Sequence, residues 1–152
     1  MYSLEKVERA DDWHHLHEIR RKVLFDTGIF PFVYNEDHPD DRRAGNVPYL
    51  LRFADTPIGV ARLDKSGVFG VVRLVGISSM FQGQGHGRAL SNLIDVEAAS
   101  RGITELRVNA FKDAIGFYDK TGWTREIWDA YELARLEPRN VQMTKSVVQT
   151  SA

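Results

Sequence analysis

Three glycines at alternate positions, Gly83, Gly85 and Gly87, lie between a long apolar run and an amphipathic one. With Gln82, Gln84, His86 and Arg88 they form the stretch of chain best suited to chemistry. A turn that opens a helix presents unpaired backbone N–H groups and the positive end of the helix dipole, so it can hold an anion. Glycines let a phosphate approach the backbone, and Arg88 can add a charge-assisted contact. On spacing alone, a plain glycine-rich turn is an equally good reading. Two other phosphate-binding patterns do not fit. The dinucleotide-binding turn needs Gly-x-Gly-x-x-Gly, and counted from Gly83 the last position is Arg88. A P-loop needs Gly-Lys-Ser/Thr, which the sequence lacks.

The surrounding pattern supplies the elements to hold this loop. Residues 3–7 read as a first strand. Asp11 or Asp12 can cap a helix with Trp13, Leu16, Ile19, Val23 and Leu24 on its apolar face, stopped by Gly28. Residues 30–45 are irregular, with room for a short helix. Strands at 49–53, 58–63 and 68–77, separated by turns at 55–57 and 64–67, predict an antiparallel meander. The pattern then becomes helical: Leu90, Leu93, Ile94 and Ala98 share one face of residues 87–100, and Gly102 stops it. A β-like segment at 105–110 precedes a helix at 114–120, for which Asp113 is the expected cap. Residues 123–128 and 141–147 are expected as final strands, the latter with Val141, Met143 and Val147 alternating against Gln142, Thr144 and Ser146. This is one α/β (α+β) domain around a single sheet, expected over residues 1–148 with a short tail at 149–152.

Composition narrows the function. The chain has 152 residues, 43% hydrophobic and 27% charged, which suits one globular domain. Its net charge of −1 argues against a nucleic-acid binder acting through bulk electrostatics. No cysteine is present, which excludes disulfides, thiolate metal ligands and a cysteine nucleophile. No apolar run approaches the ~18 residues of a membrane span, and residues 1–12 are too charged for a secretory signal. A cytoplasmic protein with neither nucleic-acid nor membrane partners is the expectation. His14, His15 and His17 do not share one helix face, so they are read as solvated and no metal site is expected.

Gln82-x-x-Gly85-x-Gly87 resembles the Gln/Arg-x-x-Gly-x-Gly/Ala signature of the GNAT superfamily of acyl-CoA-dependent N-acetyltransferases. Phe117-Tyr118-Asp119-Lys120-Thr121-Gly122-Trp123 resembles that family's Phe-Tyr-x-Lys-x-Gly-Phe segment, and Asn109 stands where the family often has asparagine. The resemblance covers roughly residues 3–147. It implies a mixed, mostly antiparallel sheet of six to seven strands, flanked by about four helices, with splayed central parallel strands. It implies that acetyl-CoA, with no metal, is bound by the backbone of Gly83, Gln84, Gly85, His86, Gly87 and Arg88. Gln82, Asn109 and Phe117 would line the cofactor, and backbone groups of Val75 and Ile77 would pair with pantetheine. Gly76 suits the bend or bulge expected in that strand, with close packing against a helix as the alternative. Tyr118 would donate a proton or hydrogen bond to the departing thiolate; a free tyrosine, with pKa of about 10, is neutral at pH 7 and can do so.

The acceptor implied is a primary amine of a small molecule or peptide, and a homodimer is common in the family. The region holding Phe25, Phe30, Phe32 and Tyr34 would help shape the acceptor pocket. Glu36, Asp37, Asp40 and Asp41 are answered by Arg42 and Arg43, so a mixed-charge solvated loop is expected there. Arg73 occupies a strand where relatives often place a basic glutamate, and arginine cannot accept a proton. His38, Glu36, Asp64 and a water chain remain open as the base. Ser79 replaces a common proline, and His86 a common aliphatic residue; a histidine beside a phosphate and an exposed, idle one are both open readings. The alternative function is a non-catalytic acyl-CoA-binding regulatory module on the same fold.

Overall fold

The computed structural model describes residues 1–149; the last three residues of the expected tail lie outside the described residues. Alternating apolar side chains build one sheet whose two faces are covered by different helices. Its strands are β1 (Tyr2–Lys6), β2 (Asn46–Phe53), β3 (Thr56–Ser66), β4 (Phe69–Ile77), β5 (Glu105–Ala110), β6 (Thr124–Arg125) and β7 (Val141–Ser146). They lie in the order β1-β2-β3-β4-β5-β7-β6, antiparallel except for the central pair β4–β5. Four α-helices flank the sheet: α1 (Ala10–Arg20), α2 (His86–Ser100), α3 (Ile115–Lys120) and α4 (Ala130–Leu133).

Each strand sends alternate residues to opposite layers. Leu90, Ile94 and Ala98 of α2 bury against Tyr49, Leu51, Ala61, Leu63, Leu106 and Val108. Leu16 and Ile19 of α1, with Val23 and Leu24, bury against Leu50 and Val60 on the other face. The first helix does not run straight to Gly28. A π-type turn at Arg21–Phe25 follows α1 and keeps Val23 and Leu24 aimed at the sheet. Asp12 steadies the start of α1 from inside its first turn, accepting from the amides of Glu8 and Arg9 at 3.2 and 3.1 Å.

The centre of the sheet splays. β4 and β5 pair only from Phe69–Glu105 to Val72–Val108. Beyond that, β4 continues to Ile77 and β5 to Ala110 without pairing to each other. A β-bulge drives the divergence: Val60 faces Gly76 and Arg62 faces Arg73, so Ala61 alone opposes Leu74 and Val75. Leu74 carries the distortion with φ of 52°. The expected bend at Gly76 is therefore corrected. Gly76 sits in register, and a Cβ there would lie 3.1 Å from Val23 Cγ1, so its role is close packing beneath the π turn.

Four further expectations are corrected. Asp64 and Lys65 belong to β3, and the turn forms around Gly67. Asp113 does not cap α3; Ala114 stands at that position without a side-chain hydrogen bond. The strand expected at 123–128 shrinks to β6, because Trp128 and Asp129 turn away to start α4. Gln142 is buried, not solvated.

Candidate functional site

The loop between β4 and α2 is built to expose donors. A short 3-10 turn at Ser79–Phe81 leads into Gly83 and Gly85, whose φ values are 73° and 87°. The first α-type bond of the helix runs from the Ala89 amide to the Gly85 carbonyl at 3.2 Å. Among the described residues, the amides of Gly83, Gln84, Gly85, His86, Gly87 and Arg88 meet no protein acceptor. A Cβ built on Gly83 or Gly85 would meet nothing within 4 Å, so no neighbouring atom crowds these two residues on that side. The two glutamines brace the loop: Gln82 Nε2 donates to the Ile77 carbonyl at 2.8 Å and Gln84 Nε2 to the Met80 carbonyl at 2.9 Å.

The His86 side chain departs from expectation. It is buried, its Nδ1 is 2.7 Å from the Tyr2 hydroxyl, and its ring packs against Tyr2, Phe53 and Phe81. Those aromatic neighbours let imidazole fill a core position, while its backbone amide stays in the loop.

The splay lies beside this loop. The Ser78 amide donates to the Ile58 carbonyl at 2.8 Å, so by strand alternation the Ile77 amide turns away from β3, toward the gap. The Ile77 carbonyl is already held by Gln82, which leaves its amide and the Val75 backbone. Across the gap, the Asn109 Oδ1 accepts from Gln142 Nε2 at 3.1 Å, leaving the Asn109 Nδ2 donor without a protein partner among the described residues. The helix α3 approaches the same corner: a Cβ on Gly87 would lie 3.6 Å from the Phe117 ring. Tyr118 follows, half-buried, its ring edge-on to Phe117 and Trp123 at centroid distances of 5.5 and 5.4 Å. Burial pushes the Tyr118 phenol up to about 12, and its hydroxyl has no protein partner among the described residues. The phenol is thus a donor throughout the neutral range.

The opposite face of the sheet carries a chain of ion pairs. Arg20 grips Asp41 through two bonds of 2.8 and 3.0 Å, and Arg62 reaches Asp41 at 3.1 Å. Arg62 also holds Asp64 at 2.8 Å; Arg73 binds Asp64 at 3.1 Å and Glu132 of α4 at 2.8 Å. Burial works against the Asp41 charge, yet the hydrogen bonds from Arg20 and Arg62 hold its carboxyl below the usual carboxylate range. Asp41 is therefore not part of a solvated loop; it ties residues 31–45 to the sheet. Tyr34 lies over the same cluster, sharing a hydrogen bond with His17. His17 is buried, against the expectation of a solvated histidine, and burial pushes its imidazole down. His14 remains exposed. Phe25 packs on Phe30 and Tyr34, and Phe30 reaches Phe111 beyond β5 at 5.0 Å, forming a wall of the gap; Phe32 is exposed.

Of the residues left open as a base, Asp64 is held by Arg62 and Arg73, Glu36 pairs with Arg21, and His38 is exposed and accepts from the Asp40 amide. Sequence reasoning missed Gln142 and Arg20. Gln142 Oε1 accepts from the Trp128 and Asp129 amides, both at 2.9 Å, which bends the chain into α4 beside the gap. The pattern held no sign of this. Arg20 did leave one: it stands four residues after Leu16, on the apolar stripe of α1, where a charge implies a buried partner.

A family model described as Acetyltransferase (GNAT) domain matches residues 34–145. No curated protein sequence matches the chain. Among solved structures, a GNAT-family acetyltransferase from Staphylococcus aureus Mu50 is similar with a TM-score of 0.77 and 11% identity, over 97% of this chain and 100% of that one. The ribosomal-protein-S18-alanine N-acetyltransferase from Escherichia coli gives 0.76 and 15%, over 99% and 97%. The PaiA N-acetyltransferase from Thermoplasma acidophilum, solved with coenzyme A, gives 0.73 and 14%, over 96% and 99%. At these identities the solved structures speak for the fold, which they share.

Proposed function

The chain belongs to the GNAT acetyltransferase family, and from that membership we propose that it moves an acetyl group from acetyl-CoA directly to a primary amine of a small molecule or peptide. The observation that most supports this is the run of six amides at the mouth of α2 that meet no protein acceptor among the described residues, with Gly83 and Gly85 uncrowded. Such donors suit a diphosphate. When bound, acetyl-CoA supplies an acetyl group activated as a thioester. The backbone from Gly83 to Arg88 holds the diphosphate; the Val75 backbone, the Ile77 amide and Asn109 Nδ2 hold the pantetheine arm in the gap. A main-chain N–H of β4 there polarises the thioester carbonyl, as in an oxyanion hole.

Tyr118 supplies the donor for sulfur. A thiol has a pKa of about 8.5, well below the Tyr118 phenol, so leaving a bare tyrosinate is uphill. Tyr118 therefore hydrogen-bonds the departing sulfur, and passes it a proton only as it takes one up. Residues 1–148 act as one domain in the cytoplasm. The lack of cysteine supports that compartment, and no helix among the described residues is long and apolar enough to cross a membrane.

The test has two parts. Calorimetry with coenzyme A reads the loop, and thiol release from acetyl-CoA with a panel of amines reads the transfer. Uptake with release for at least one amine supports the enzyme. Uptake with no release for any amine makes the protein a coenzyme A-binding module instead.

A further inference from the structure

Transfer to an amine must balance protons. A neutral amine forms the C–N bond with its lone pair, the C–S bond breaks, nitrogen sheds one proton and sulfur gains one. With Tyr118 as relay, that exchange closes on itself. A protonated amine brings one proton more, which some base has to take before nitrogen has a lone pair to use.

Among the described residues, the carboxylates that pack around Arg73 on the side of the gap opposite α2 are all ion-paired. Arg73 is the first β4 residue beyond the last parallel pair, at the root of the splay. Its neighbours from the packed elements are Arg62 and Asp64 on β3 and Glu132 on α4; behind them lie Asp41, Arg20, and His17 with Tyr34. On β5, Arg107 and Glu105 pair with each other at 2.8 Å. The carboxylates in this set are held by arginines, and an ion-paired carboxylate is a poorer proton acceptor than a free one. His17 is buried against Tyr34, and its lowered pKa makes it a weaker base still. Lys112 and Asp113, in the turn after β5, are exposed and point to solvent exchange rather than to a built site. Arg73 itself cannot accept a proton, and its guanidinium is taken up by Asp64 and Glu132.

We propose that the acceptor is a weakly basic amine that reaches the site already neutral, the biological example being the α-amine of a peptide, and that strongly basic side-chain amines are poor substrates. This rests on the transferase reading above. A peptide α-amine, with pKa of about 7.7–8.0, is roughly 10–15% neutral at pH 7; a lysine side chain, at about 10.4, is about 0.04% neutral. The difference in available nucleophile is a few hundred-fold.

The experiment uses the whole chain, acetyl-CoA and two probes: a dipeptide amide with a free α-amine, and an α-N-acetyl-lysine amide with only its side-chain amine free. Thiol release is followed from pH 6 to 10. The expected kcat/KM at pH 7 favours the dipeptide by a hundred-fold or more. Each profile should rise tenfold per pH unit and level at the acceptor's own pKa, near 8 for the dipeptide and beyond 10 for the lysine probe. Comparable rates at pH 7, or a shared break between pH 6 and 7 for both probes, would show an enzyme base and overturn the proposal while leaving the transferase intact. Release with another amine of the panel but with neither probe would overturn this proposal and leave the transferase intact, whereas no release with any amine up to pH 10 would remove both.

Discussion

Replacing Gly85 with alanine puts the anion loop to a quantitative test. Gly85 caps α2 with φ of 87° and ψ of 0°, a left-handed conformation. An L-residue held there costs about 1–2 kcal/mol. A Cβ would meet nothing within 4 Å, so no clash adds to the strain. For a chain of this size each kcal/mol lowers Tm by about 2–4 °C, so Gly85→Ala should melt roughly 2–8 °C below the parent. Ligand binding should suffer separately. The added methyl stands in the space the diphosphate needs, and a loop that relaxes to negative φ turns its amides aside. Loss of one hydrogen bond to a charged group, about 1.5–3 kcal/mol, weakens coenzyme A binding about 10–150-fold. Calorimetry with coenzyme A reads the second effect and a thermal melt the first. Gly85→Asn is the control, since asparagine tolerates the left-handed region and should recover much of the melting temperature. If the alanine variant bound coenzyme A within twofold of the parent at an unchanged Tm, the loop would not be the diphosphate site.

Four other outcomes follow from the geometry. Tyr118→Phe should lower kcat at least tenfold while leaving coenzyme A affinity, read by calorimetry, within about twofold. His86→Leu replaces a buried ring hydrogen-bonded to Tyr2, so it should cost about 1 kcal/mol in urea unfolding and leave coenzyme A binding in place. Asp41→Ala strands the buried Arg20, while Arg62 keeps Asp64, and should cost about 3–5 kcal/mol by the same measure. Asp41 and Asp12 are both held below the usual carboxylate range in the fold, so their contribution is intact above about pH 4 and lost as pH falls below it.

The fold was legible where one physical signal acted alone. β5 matches its expected bounds because Leu106, Val108 and Ala110 alternate cleanly with polar residues. The helix after the loop was readable because Leu90, Ile94 and Ala98 recur at helical spacing and bury together. The reading failed where partners decide. Glycine at position 76 drew the expected bend, yet the bulge falls on Leu74, because the register against Ala61 forces the extra residue there and leucine accepts the strain. Residues 123–128 carry a strand's composition, but Gln142 captures the Trp128 and Asp129 amides and turns the chain into α4.

The two sides of the candidate site differ in the same way. The coenzyme side is local: its donors come from consecutive residues, and glycine spacing alone suggests an anion loop. The acceptor side is assembled across the chain. Arg20 meets Asp41 twenty-one positions away and Arg73 meets Glu132 fifty-nine away. Read locally, Asp41 looks like one charge in a mixed loop and His17 like one of three exposed histidines; only the packing of α1 and residues 31–45 onto the sheet buries them together. Charges wired this tightly are set in pairs, so exchanging Arg73 alone would leave Asp64 and Glu132 with one arginine fewer between them. Reshaping this side of the candidate site therefore requires changing Arg73 and Glu132 together, for instance to a glutamine pair, so that neither charge loses its partner alone.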